Sequence, residues 1–147
     1  MSQEHVPDDF NWVAAQAKCS AALMFERLRT GVREDVQRRN GLFNRNDGWK
    51  FEFHEDGDEF EALRVVAPGF TGSSGSAVVV SAVVRFERAG RRIQVLGEGI
   101  DIQFTAVVTL DVAGLCLFVV SEAMYSEWEV RRMALEQLFF EETDESE

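Results

Sequence analysis

Across residues 49–121 apolar and polar side chains alternate in six short runs separated by turn residues, and this period of two constrains the fold more than any other feature. In the clearest run, residues 100–111, Ile100, Ile102, Phe104, Ala106, Val108 and Leu110 share one side while Asp101, Gln103, Thr105, Thr109 and Asp111 share the other. Trp49, Phe51 and Phe53 alternate in the same way with Lys50, Glu52 and His54. Val78, Val80, Ala82, Val84 and Phe86 form a third apolar row. Shorter strands are expected over 59–66, 92–96 and 115–121, with the alternation of the first broken near Ala62-Leu63, where a bulge is expected. The connections are short: Glu55-Asp56-Gly57-Asp58, Arg88-Ala89-Gly90-Arg91, Gly97-Glu98-Gly99 and Ala113-Gly114. Such turns join antiparallel neighbours.

Helical spacing flanks the strands. Met24, Phe25, Leu28, Val32 and Val36 recur behind Ser20, a good N-cap, and Arg38-Arg39 followed by Asn40-Gly41 marks the end. A helix is expected over 21–39. Near the C-terminus Ser126 and Glu129 have capping-box spacing, with Tyr125 and Val130 placed as a hydrophobic staple. Trp128, Met133, Ala134, Leu135, Leu138 and Phe139 then supply an apolar stripe expected to face the sheet. Residues 11–19 admit two readings. They are Ala-rich enough for helix, yet Val13, Ala15, Ala17 and Cys19 also alternate with Gln16 and Lys18, and a short strand is favoured.

The expected fold is therefore α+β: a curved antiparallel sheet of six to seven strands, packed by a long N-terminal helix and a C-terminal helix. One domain over residues 10–140 suits a chain of 147 residues. Residues 1–9 and the acidic stretch 141–147 are expected to be disordered ends. The formal charge is −11, and Glu141, Glu142, Asp144, Glu145 and Glu147 supply five of those charges. A surface this acidic argues against nucleic acid or an anionic membrane as partner. Residues 1–9 have neither a basic region nor an apolar stretch, so a secretory signal is not expected. Two buried, reduced cysteines, Cys19 and Cys116, in a cytoplasmic protein follow as the expectation.

Strand, helix, six-stranded meander and terminal helix is an order that resembles the helix-grip fold of the START-like, pollen-allergen-type superfamily. The stretch Ala17-Lys18-Cys19-Ser20-Ala21-Ala22-Leu23-Met24-Phe25-Glu26-Arg27-Leu28 resembles it locally, with a strand end, a small polar residue, and a helix opening on Phe and then Leu. The resemblance implies that the first and last strands are antiparallel neighbours. Cys19 and Cys116 would then lie close together. It also brings ligand binders, cyclases and hydrolases into view.

Chemical signatures are sparse. His5, Cys19, His54 and Cys116 lack the paired spacing of a structural zinc site, so neither metal nor cofactor is expected. The loop 68–76 is rich in Gly and Ser, but it precedes a strand and lacks the Gly-Lys-Ser/Thr ending of a phosphate loop. No catalytic residue is assigned, and an enzyme is the least favoured reading. His54 reads as a surface residue beside Glu52. Arg64 and Arg85 interrupt apolar strands, where an arginine must be paired or must contact a polar group of a ligand.

Two functional readings remain. In the first, a small hydrophobic molecule binds between the sheet and the C-terminal helix. Phe51, Phe53, Phe86, Phe104, Trp128 and Met133 would line the pocket and Arg132 would be its polar anchor, unless Arg132 merely pairs with a neighbouring carboxylate. In the second, Val79, Val83, Val107, Phe118 and Val120 lie on the opposite sheet face and form a homodimer patch.

Overall fold

The computed structural model describes residues 10–42, 48–66 and 79–141. Expectations for residues 1–9, the Gly/Ser loop and the acidic stretch from 142 onward lie outside these. Three helices, α1 (Trp12–Lys18), α2 (Ala21–Asn40) and α3 (Glu127–Phe140), accompany a seven-stranded sheet. Its strands are β1 (Trp49–Asp56), β2 (Glu59–Val66), β3 (Val79–Ala89), β4 (Arg92–Glu98), β5 (Gln103–Leu110), β6 (Cys116–Val120) and β7 (Ala123–Tyr125). Every strand pairs antiparallel with the next, in the order β1 to β7. The α+β expectation holds: a curved, unclosed sheet is packed by a long N-terminal and a C-terminal helix.

Residues 11–19 correct the favoured reading. Asn11 caps a helix by accepting a hydrogen bond from the Ala14 N–H at 3.0 Å, and Cys19 ends it. The Ser20 hydroxyl then accepts from the Leu23 N–H at 3.0 Å and starts α2. A Ser N-cap requires only the residue beside it to be non-helical, so two helices meet across Cys19-Ser20. The seventh strand is β7 instead, which runs straight into α3.

Alternation sorts the strands as expected, with differences that have physical causes. Phe51 faces Arg64, which faces Ala82; this row lies under the helices. On β2, Ala62, Leu63, Arg64 and Val65 are all buried, so the period of two is erased there. The irregularity lies between Arg64 and Val65, opposite Ser81, rather than at Ala62-Leu63. It turns Val80, expected inward, to the outer face opposite Val65, where it is exposed. Phe118 and Val120, expected on the outer face, are 0% and 5% exposed and belong to the core. Each strand residue of β6 is apolar, so its pattern is silent about which face is inward.

α2 packs on β1 and β2, and α3 packs on β3, β6 and α2. Between them and the sheet lies an aromatic core. Phe60 stacks on Phe86 with centroids 4.6 Å apart and meets Phe25 at 5.0 Å and Phe53 at 5.8 Å. The Asn40 side chain continues the β1 edge: its amide donates to the Phe51 carbonyl (2.8 Å) and accepts from the Phe51 N–H (3.0 Å). The capping box of α3 forms as expected, with the Ser126 N–H donating to Glu129 Oε1 at 2.8 Å. Val130 is fully buried, and Tyr125 packs on the core.

α2 and α3 are clasped by Arg131. Its guanidinium donates to Asp35 on α2 at 2.6 Å and twice to Glu127 on α3, at 2.6 and 3.2 Å. Burial pulls the Arg131 pKa down, but the hydrogen bonds to Glu127 and Asp35 outweigh it, and the group titrates above the ordinary arginine value. Gly31 makes room for this clasp. A Cβ there would lie 2.5–2.9 Å from the end of the Arg131 side chain. An arginine can swing aside, but here three hydrogen bonds fix it. Gly31→Ala ordinarily gains about 1 kcal/mol in a helix interior. Here it is expected to lose about 1 kcal/mol, and to regain its ordinary sign in an Arg131→Ala background. Urea unfolding of the two single variants and the double variant checks this; additive effects would mean the clasp is not the reason for the glycine.

Candidate functional site: an arginine-lined groove between α2 and α3

The space between the sheet and α3 is filled by side chains. Phe51, Phe86, Phe118, Leu135 and Leu138 are each no more than 2% exposed there. Among the described residues, no buried side-chain nitrogen or oxygen lacks a hydrogen-bond partner. No polar group in this region is therefore held in reserve for a ligand.

The seven residues expected to form a pocket separate into two groups. Phe51 and Phe86 are core, and Phe53 and Phe104 pack at its edge. Trp128, Arg132 and Met133 line a shallow hollow of about 270 Å³ along one flank of α3, with Tyr125, Glu129 and Glu136. Trp128 is 55% exposed, which corrects its placement on the sheet-facing stripe. Val130, Ala134, Leu135, Leu138 and Phe139 take that face, and Trp128 falls to its side. Arg132 is exposed and pairs with Glu136 one turn on, at 3.3 Å, the plain neighbouring-carboxylate alternative.

A larger concavity lies on the outer side of the two helices. A groove of about 440 Å³ runs between α2 and α3, within the range of small-molecule sites. Leu42, Leu135, Phe139 and Phe140 make it apolar, and Asp35, Arg38, Arg39, Arg131, Arg132 and Glu136 supply its charges. Four arginines and two carboxylates line it, and Glu34 and Glu127 pair with Arg38 and Arg131 from beside it, so the groove is rich in arginine on a chain whose formal charge is −11. The arginines are not equivalent. Arg39 is buried, donates to the Phe139 carbonyl at 2.9 Å and stacks on Phe51 and Phe140. Arg38 pairs with Glu34 and Asp35, and Arg131 forms the clasp. Arg132 has the weakest attachment, because its pair with Glu136 is solvent-screened on both sides.

Only Arg132 of this groove was expected from sequence. The available signal was a repeated one: each of the two helices carries an Arg-Arg pair, Arg38-Arg39 and Arg131-Arg132. Phe139 and Phe140 are adjacent and both reach the groove, Phe139 from the core and Phe140, 41% exposed, from its open side.

No family model, curated protein or solved structure matches the chain. Among the described residues no three His, Cys, Asp or Glu side chains come together as metal ligands, and no helix is long and apolar enough to cross a membrane. His54 is exposed beside Glu52, at 3.2 Å. Arg85 pairs with Glu61 and Glu98; its bond to Glu98, above all, raises its pKa against a smaller effect of burial. Cys19 and Cys116 correct the expectation of reduced thiols: they form a disulfide with Cα atoms 5.3 Å apart. Their closeness was implied by a strand pairing, but it arises with Cys19 at the joint of two helices. Such bonds are uncommon in reducing compartments.

Proposed function

We propose that the protein binds a small amphiphilic molecule, an apolar body with an acidic head, in the groove between α2 and α3. The observation behind this reading is the coincidence of an apolar floor with four arginines, one of which, Arg132, is held only by an exposed ion pair. An apolar body would lie on Leu42 and Phe140. A carboxylate or phosphate head would take Arg132 from Glu136, at little cost because that pair is exposed. The pocket expected under α3 is thereby moved to its outer side, with Arg132 still the anchor.

A fluorescent medium-chain carboxylate is the probe. Arg132→Glu is expected to weaken its binding at least tenfold, as is Leu42→Asp, with thermal unfolding unchanged. Equal affinity in all three proteins would sink this reading. Native mass spectrometry of the protein purified from cells gives a second check, since an occupied groove predicts a monomer carrying an excess mass of roughly a few hundred daltons.

A homodimer is the second reading. Val107, Leu117, Val119 and Met124 lie together on the outer face of β5, β6 and β7, and Met124 is 54% exposed. β7 is the end strand of the sheet. A ligand-free dimer in the same mass spectrum would favour it.

A further inference from the structure

α1 is attached to the rest of the molecule in an unusual way. None of its residues is buried, and Trp12 and Val13 are 61% and 59% exposed. A helix of seven residues has too few internal bonds to persist alone, since isolated helices shorter than roughly 12–15 residues are marginal in water. Something outside it must hold it. Two attachments stand out. The Phe10 ring lies against Gly114 in the β5–β6 turn, so closely that a Cβ on that glycine would meet it at 2.8 Å. At the other end the Cys19–Cys116 bond joins the end of α1 to the first residue of β6. Cys19 is 1% exposed, and its sulfur lies 3.4 Å from the Thr109 carbonyl.

The remainder of the fold has its own support. The buried apolar residues outside this joint lie in α2, the sheet and α3. β5 and β6 are paired from Val107–Val119 to Leu110–Cys116 by their own backbones. Opening the disulfide removes the main tie of α1 and none of that pairing.

We propose that α1 is a redox latch, held on the sheet by the Cys19–Cys116 bond and released when a dithiol reduces that bond, while α2, the sheet and α3 stay folded. Cys116 is the less buried of the two cysteines and the one a reductant would approach first. A thiolate of the dithiol attacks it and the Cys19 thiolate leaves at the start of α2, where the helix dipole favours an anion. The second thiol of the reductant then displaces Cys116. The protein gains two thiols and the dithiol becomes a disulfide. This inference is independent of what the α2–α3 groove binds.

Limited trypsin digestion tests it on the whole chain. Lys18, the last residue of α1, is the first tryptic site in the sequence, and Arg27, within α2, is the next. After treatment with dithiothreitol and its removal under argon, cleavage after Lys18 is expected to accelerate at least tenfold, with cleavage after Arg27, Arg92 and Arg132 unchanged. Cys116→Ala is expected to give the same pattern without reductant. Reoxidised wild-type protein is expected to recover protection at Lys18, a check that holds even if the variant folds poorly. An unchanged rate at Lys18 would show that α1 stays in place without the bond. Parallel acceleration at all four sites would show that the disulfide staples the entire fold. Either result overturns the latch.

Discussion

Phe60→Ala is expected to lower the unfolding free energy by about 3–5 kcal/mol, the range for deleting a fully buried aromatic ring. Phe60 is 1% exposed and sits where strand and helix aromatics converge: Phe86 stacks on one side, and Phe25 and Phe53 close the others. The Arg29 guanidinium lies 5.5 Å from its ring and is fixed in turn by Glu55 at 3.0 Å and by the Gly57 carbonyl at 2.7 Å. The truncation removes ring contacts from three neighbours and a face from the cation at once. Urea unfolding should show a lower midpoint with an unchanged slope. Trp128→Ala is the control, expected to cost less than about 1 kcal/mol because the indole is already largely in water. If the two variants lost equal stability, the assignment of Phe60 to the core and Trp128 to the surface would be wrong.

Arg64→Met should cost about 2–4 kcal/mol, although it replaces a buried charge by an apolar side chain of similar length. Arg64 is 7% exposed and answers several needs together. Its guanidinium donates to the Ser81 hydroxyl at 2.9 Å, to the Leu138 carbonyl at 3.2 Å and to Glu141 at 3.0 Å, and lies 4.2 Å from the centroid of the Trp49 ring. The last turn of α3 has no basic residue of its own. Arg64 from β2 and Arg39 from α2 reach its terminal carbonyls instead, completing the helix end with donors and positive charge from elsewhere in the chain. Methionine would leave the Leu138 carbonyl without its donor. Arg64→Lys is expected to recover less than half of the loss, because one ammonium cannot bridge three acceptors while stacking on an indole. A methionine variant as stable as wild type would show that packing alone holds this corner.

These positions illustrate what can be read from a one-dimensional pattern. The strands with one wet face, β1 and β5, declare themselves by alternation, and Ser20 and Ser126 announce their helices by cap chemistry. β6 is apolar on both faces, so nothing in its residues tells Phe118 from Val119. β7 was missed because its turn carries no turn residue of the usual kind: Ser121 and Glu122 both have positive φ, 51° and 72°, where Asn-Gly is the common choice. α1 was misread because an Ala-rich stretch satisfies periods of both two and 3.6 over so few residues. The groove was hidden more deeply. It depends on which side of α3 turns toward α2, and the traces of that in the sequence, an Arg-Arg pair on each helix and a glycine in the middle of α2, do not say that the two helices meet.

The strictly sequential order of the sheet also sets a timetable for the chain as it is made. Each hairpin can close as soon as its second strand has emerged, since the partner is always the strand just completed. The two closures that span the chain come late. Cys19 must wait 97 residues for its partner, and the core face of the sheet waits for α3, which follows all seven strands. Until then Phe51, Phe60, Phe86 and Phe118 form a growing apolar surface covered only by α2. A chain stalled before residue 127 is, by this count, a finished sheet without its lid, the species that a cell's holdases would be expected to meet first.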